Sequence, residues 1–211
     1  MRGNADVLQK IDQWRQQLVD LPQPRRRLLT DAARTIRPHL SHASLRLAFI
    51  CTHNSRRSQF AQVWATVAAS LYGIDRVAVV SAGTEVTACH PHVIQSLQRC
   101  GMVVKTTTPP PNPRYEVSFA DDVPPVILYS KRFDGLPEAS SPLFALMCCD
   151  EAAEACPVIP GTLQRISLSY RDPKWADGTA EAVTAYDECR DTIGREMLFL
   201  FDQLARPLST G

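Results

Sequence analysis

Leu45-Arg46-Leu47-Ala48-Phe49-Ile50 is an apolar, strand-like run, and Cys51-Thr52-His53-Asn54-Ser55-Arg56-Arg57-Ser58 follows it directly. Gln59-Phe60-Ala61-Gln62-Val63-Trp64-Ala65 then reads as a helix. The cysteine therefore sits at the turn from a buried strand into a helix N-terminus. Backbone N–H groups and the helix dipole converge there and attract negative charge. That setting favours the thiolate form of a cysteine. The same N–H groups suit a tetrahedral oxyanion, and Arg57 adds a planar, two-pronged clamp for its oxygens. The loop Thr52, His53, Asn54, Ser55, Arg56, Arg57 and Ser58 is thus expected to bind an oxyanion and set the Cys51 sulfur against its phosphorus or arsenic.

Context gives this pattern its weight. Cys189 and Arg195 have the same spacing as Cys51 and Arg57, but they lie inside a continuous helical pattern and form no loop. The competing reading of Cys51 is a buried strand-end cysteine, since free Cys is among the most buried residue types.

Working outward, strands and helices alternate from Leu45 onward. Arg76–Val80 reads as a second strand and is followed by Ser81-Ala82-Gly83-Thr84. Pro91 to Cys100 is a short helix with Gly101 at its end. Tyr115–Phe119 and Val126–Tyr129 are β-like, Leu143–Met147 is a buried strand, and Arg165–Leu168 is a last short one. Val183, Tyr186, Ile193, Met197, Phe201 and Leu204 mark a long C-terminal helix. Such alternation predicts an α/β fold with a mostly parallel central sheet flanked by helices. Ligands then bind at the carboxyl ends of the strands, where Cys51 lies. The Thr- and Pro-rich stretch 106–124 is expected to be an irregular surface excursion.

Residues 1–42 read as a separate N-terminal helical extension, with the catalytic domain over 43–211. Val7, Ile11, Trp14, Leu18 and Leu21 form one apolar stripe. Pro22 and Pro24 break it, and Leu29, Ala32 or Ala33, Ile36 and Leu40 form a second. The expectation is a helical hairpin packed on the main domain or on a second copy, which would make a homodimer. Arg25-Arg26-Arg27 is expected to be a solvated face.

Lys plus Arg number 23 and Asp plus Glu 22, a net charge of +1, which gives no footing for a nucleic-acid or acidic-membrane partner. No apolar run approaches the ~20 residues that span a bilayer. The polar N-terminus lacks a signal-peptide core, so the expected location is cytoplasmic. Seven irregularly spaced cysteines do not read as a secreted disulfide framework; in a reducing compartment they suggest redox or catalytic chemistry for some.

Two further pieces carry chemistry. Asp172-Pro173 follows the last short strand and reads either as a turn Asp or as an acid that protonates a leaving oxygen. Met147-Cys148-Cys149-Asp150 is followed by Cys156-Pro157. Adjacent residues at a strand's end point to opposite faces, so at most one of Cys148 and Cys149 is expected to face Cys51.

Together these pieces resemble a known family. Cys-x5-Arg-Ser early in an α/β domain, with Asp-Pro late, is similar to the low-molecular-weight protein tyrosine phosphatases, whose sheet is flavodoxin-like. Cys-x6-Cys-Pro is similar to the thioredoxin-coupled arsenate reductases that use that fold. Ser81-Ala82-Gly83-Thr84 and Asn54 support the resemblance, which covers roughly Leu45 to Leu204. It implies Cys51 as nucleophile, Arg57 as clamp, Ser58 as donor to the thiolate, Asn54 as the shaper of the loop and Asp172 as general acid. It implies Cys149 and Cys156 as the redox pair, with Cys148 as the alternative register. His53 stands where these families usually have Gly, and Arg56 where they usually have Cys. His53 is expected to narrow the mouth, and Arg56 to add positive charge there or point to solvent.

The implied function is arsenate reduction with a thioredoxin-like reductant and no metal or organic cofactor. The alternative enzyme is a phosphatase for phosphotyrosine or a small phosphate ester, which needs no second cysteine. A phosphotyrosine pocket wants aromatic walls, and Phe60 and Trp64 read as core. The non-enzyme alternative is a redox-sensing oxyanion-binding module.

Overall fold

The computed structural model describes residues 3–40, 45–136, 141–150, 152 and 161–207. Five helices and seven strands are used below: α1 (Ala5–Gln16), α2 (Gln23–Ile36), β1 (Leu45–Cys51), α3 (Arg57–Leu71), β2 (Val77–Gly83), α4 (Pro91–Arg99), β3 (Val103–Thr106), β4 (Tyr115–Ser118), β5 (Val126–Leu128), β6 (Leu143–Met147), β7 (Thr162–Ser167) and α5 (Ala182–Ala205).

The central sheet has the order β2-β1-β6-β7, and every pairing is parallel. β1 is internal, with Leu47, Ala48, Phe49 and Ile50 fully buried, so it carries apolar residues on both faces rather than an alternating pattern. Its register against β2 brings Cys51 opposite Gly83. The expected α/β architecture with a central parallel sheet flanked by helices is what the chain adopts. β2 runs three residues past the expected Val80 because Ser81, Ala82 and Gly83 continue the pairing with β1. β7 begins earlier than the expected Arg165, its exposed residues giving no apolar signal.

The stretch 106–124 is irregular only in part, since it contains a strand. β3, β4 and β5 form a three-stranded antiparallel sheet, and β4 lies within that stretch. β4 and β5 fall on the expected β-like runs Tyr115–Phe119 and Val126–Tyr129, whereas β3 answers to no expected strand. Asn112 brackets Ser130, donating to its carbonyl at 2.8 Å and accepting its N–H at 3.1 Å.

The N-terminal helices pack on the main domain, with Val7, Ile11, Trp14, Leu29, Ala32, Ala33 and Ile36 buried in the same core as the sheet. Pro22 caps α2 and Pro24 lies in its first turn, where a missing N–H costs nothing. Trp14 meets Trp64 edge-on at 4.5 Å, and a Cβ on Gly194 of α5 would lie 2.2 Å from the Trp14 ring. Small size at position 194 is what lets α1 lie against α5. The arginine run is not wholly solvated. Arg25 forms a two-pronged pair with the buried Glu196, at 2.7 and 2.8 Å, and donates to the Leu168 carbonyl at 3.2 Å.

Candidate active site

The loop from Cys51 to Arg57 is held from all sides through its carbonyls. Thr52 O accepts from Glu85 N–H at 2.9 Å and from Thr84 Oγ1 at 3.1 Å. His53 O accepts from Ser130 Oγ at 2.7 Å, Asn54 O from Gln59 Nε2 at 2.6 Å, and Ser55 O from His90 N–H at 3.0 Å. With the carbonyls turned outward, the N–H groups of residues 52–56 have no acceptor among the described residues. A ring of unspent donors at a helix N-terminus is an anion cradle.

Asn54 takes the left-handed conformation, φ 46°, which Asn tolerates better than other non-glycine residues. Its Nδ2 donates to Ser58 Oγ at 2.8 Å and its Oδ1 accepts from Lys131 N–H at 3.0 Å. Ser58 Oγ lies 3.1 Å from Cys51 Sγ. Because Asn54 supplies the proton to the Ser58 oxygen, the Ser58 hydroxyl hydrogen is free to point at the sulfur. Gly83 explains the Ser81-Ala82-Gly83-Thr84 signal. A Cβ there would sit 2.6 Å from Thr52 O and 2.7 Å from Asn54 N, both backbone atoms of the loop.

Arg57 is buried. One Nη donates to the Tyr170 carbonyl at 3.1 Å and the other to Asp172 Oδ2 at 2.6 Å. Its Nε has no partner among the described residues. Burial opposes its charge, but Asp172, Cys149 and Cys51 outweigh that and raise its pKa. Asp172 also caps the short 3-10 turn Pro173–Ala176, accepting Lys174 N–H at 3.0 Å. Asp172 is therefore a turn-entry residue, and it also faces the loop's arginine.

Of the adjacent cysteines, Cys149 turns toward the loop. Its Sγ lies 3.6 Å from Thr52 Oγ1 and accepts the Ala152 N–H at 3.4 Å. Burial raises the Cys149 pKa, while the Thr52 hydroxyl, the Ala152 N–H and Arg57 pull it down. Cys148 is fully buried, its Sγ directed at the Leu146 carbonyl, and burial holds its pKa well above the ordinary value. Burial likewise pushes Cys89 and Cys189 up to about 12 and Cys100 to about 11, which keeps them as thiols. Cys156 lies outside the described residues.

The two loop departures behave differently. His53 pairs with Glu85 at 3.2 Å on the exposed rim. Arg56 neither adds free charge at the mouth nor points to solvent. Its Nη2 donates to Asp177 Oδ2 and its Nε to Tyr186 Oη, both at 2.6 Å. Nothing local in the sequence ties position 56 to positions 177 and 186. Trp175, half-exposed with Arg171 over its ring at 4.6 Å, is an aromatic residue beside Asp172 that the sequence reading passed over. It borders a cavity of about 340 Å³, lined also by Tyr170, Pro173 and Cys189, which adjoins Asp172 but does not include Cys51. Phe60 and Trp64 are core, as expected.

A cysteine, an arginine and an anion cradle at the carboxyl end of a parallel sheet define a thiol-based protein with a phosphate-type loop. Residues 46–138 match the family described as low molecular weight phosphotyrosine protein phosphatase. The chain is 28% identical over 150 residues to an arsenate reductase of Bacillus licheniformis, covering 71% of this chain and 89% of that protein. It is equally similar, with the same coverage, to an arsenate reductase of Bacillus subtilis. In fold it resembles the solution structure of a low molecular weight protein tyrosine phosphatase from Bacillus subtilis, with a TM-score of 0.51 at 17% identity, over 76% of this chain and 97% of that one. The chain thus has the α/β fold of the low-molecular-weight phosphatases and is similar in sequence to arsenate reductases.

Proposed function

We propose that this chain reduces arsenate to arsenite. Cys51 attacks arsenic, a sulfur–arsenic bond forms, and an arsenate oxygen leaves as water with a proton from Asp172. Cys149 thiolate then attacks Cys51 Sγ. A disulfide forms, the electron pair of the sulfur–arsenic bond passes to arsenic, and arsenic(V) departs as arsenic(III). Cys156 thiolate next attacks Cys149, releasing Cys51 and leaving a Cys149–Cys156 disulfide for a thioredoxin-like reductant to open. We place this chemistry in the cytoplasm.

The observation that carries the reading is Cys149 Sγ beside Thr52, on the loop that begins with Cys51. A phosphatase has no use for a second thiol there. Arg57 is the clamp, and the loop N–H groups hold the oxyanion. A homodimer through the N-terminal helices would use the outer faces of α1 and α2, because their apolar stripes are buried within the chain. One observation favours the phosphatase as second reading: the half-exposed Trp175 beside Asp172 offers an aromatic wall.

The test is arsenite production by the purified chain with a thioredoxin system, beside hydrolysis of an aryl phosphate. Arsenite release that requires the thioredoxin system is expected. Ester hydrolysis without any arsenite would overturn the reading in favour of the phosphatase.

A further inference from the structure

A cluster of metal-ligating side chains lies next to the loop and takes no part in the thiol chemistry. One donor atom from each of His90, His92 and Asp177 lies within 4.8 Å of the other two. His90 caps α4, its Nδ1 accepting the His92 N–H at 3.3 Å, so that ring is oriented by the backbone. Its Nε2 is thereby left to face Asp177 Oδ2, at 3.8 Å. Both imidazoles pack on Tyr186, His90 stacked at 5.2 Å and His92 edge-on at 5.0 Å. Tyr186 Oη donates to Asp177 Oδ1 at 2.7 Å, fixing the carboxylate. His92 Nδ1 is buried and has no hydrogen-bond partner among the described residues. An unpaired buried ring nitrogen beside a second imidazole and a carboxylate is a donor without a job in the apo fold.

We propose that His90, His92 and Asp177 bind a divalent transition-metal ion of the zinc class. Two imidazoles and one carboxylate suit zinc, cobalt or nickel rather than magnesium or calcium, which prefer all-oxygen shells. Three protein ligands leave a fourth position for water. Around a tetrahedral ion with bonds near 2.0–2.2 Å, donor atoms sit about 3.3 Å apart, so closure needs side-chain movements of roughly 1 Å. His90 and Asp177 are partly exposed, which gives an ion a way in. The cation already at Asp177 is Arg56, the loop residue, paired at 2.6 Å. A carboxylate oxygen has a second lone pair, but a dication and the guanidinium repel each other across it. Metal occupancy and the Arg56 latch are therefore antagonistic, which ties the site to the oxyanion loop.

Cobalt(II) is the probe, titrated anaerobically into the reduced full chain, with zinc as competitor. The expected spectrum shows d–d bands without a thiolate-to-cobalt charge-transfer band, at one ion per chain. His90→Asn keeps a capping acceptor for the His92 N–H but removes the ligand, and should weaken binding by about tenfold or more. Asp177→Asn should weaken it comparably. Arg56→Met should tighten it several-fold, because the competing cation is gone. Circular dichroism of each variant confirms the fold, and a cobalt-induced rise in Tm of the unmodified chain serves as an independent readout. A charge-transfer band, binding unaffected by His90→Asn, or no tightening in Arg56→Met would overturn the proposal.

Discussion

Arg57 Nη2 lies 2.6 Å from Asp172 Oδ2, so the arginine of the loop is paired with the carboxylate proposed as the acid. An entering oxyanion must compete with Asp172 for that arm of the guanidinium. Its success frees the carboxyl group to face the leaving oxygen. On the proposed roles, the ion pair sets clamp and acid against each other until substrate separates them.

This predicts an unusual split for Asp172→Asn. The amide still accepts the Lys174 N–H that Asp172 now takes at 3.0 Å, so the turn is kept. Removing the carboxylate charge should tighten phosphate as a competitive inhibitor, by roughly tenfold for ~1.4 kcal/mol of lost competition. It should also lower kcat by about 10²- to 10⁴-fold for substrates with poor leaving groups. Inhibition constants and kcat measured on the same variant check this. Looser phosphate binding with unchanged kcat would show a structural turn residue and no acid.

Thr52 tunes the second thiol. Burial raises the Cys149 pKa above its ordinary value, and the Thr52 hydroxyl is the first of the groups that offset it. Attack on Cys51 needs the Cys149 thiolate, whose fraction grows about tenfold per pH unit below the pKa. Single-turnover arsenite release should therefore climb with pH through neutrality. Thr52→Val removes the offset, so its profile should lie to the alkaline side with a slower rate at neutral pH. Rapid-quench measurement of arsenite across pH provides the comparison, and superimposable profiles would detach Thr52 from Cys149. Cys148→Ser should leave the profile in place, since that sulfur faces Leu146.

Much of this site was legible along the chain because its parts are local. A strand, a turn and a helix in direct succession pointed to Cys51, Arg57 and the parallel sheet. Alternation at the strand end let only one of Cys148 and Cys149 face the loop without saying which; the structure turns Cys149 toward Thr52. What stayed hidden depends on partners far away in sequence. Arg56 looked like surplus charge because Asp177 and Tyr186 lie more than a hundred residues on. Arg25 looked solvated because Glu196 sits on the far side of the chain. The β-like runs of β4 and β5 were legible, but β3 and the antiparallel pairing that joins the three were not, because their partners are not adjacent in one periodic segment.

Gly83 is the tightest packing constraint on the loop. Gly83→Ala places a methyl 2.6 to 2.9 Å from three backbone oxygen or nitrogen atoms, of Thr52, Asn54 and Glu85. None is a flexible side-chain end, so the loop itself must shift. Overpacking of this kind costs about 1–3 kcal/mol. The larger effect should be on function, because the loop N–H groups lose their common focus. Urea unfolding should show the modest loss, and phosphate should cease to protect Cys51 from alkylation. A variant with normal phosphate protection would mean that the loop has room to spare.

The Arg25–Glu196 pair fastens α2 to α5. Glu196 is nearly inaccessible, its side chain 4% exposed, and Arg25 is 21% exposed. Arg25 also lies over the Tyr170 ring at 4.9 Å, and the Tyr170 carbonyl is one of the two anchors of Arg57. Arg25→Ala leaves Glu196 charged, buried and unpaired, a loss of about 3–5 kcal/mol for pairs of this kind. Replacing both partners, Arg25→Met with Glu196→Leu, removes the stranded charge and should recover most of that stability. Denaturant midpoints of the single and double variants measure the pair directly. A single-variant loss under about 1 kcal/mol, the range of exposed pairs, would mean that α2 is held by its apolar stripe alone. The double variant adds a second reading. If the pair also steadies Arg57 through Tyr170, the refolded-stable double variant should still bind phosphate more weakly than the unmodified chain, even with its stability restored.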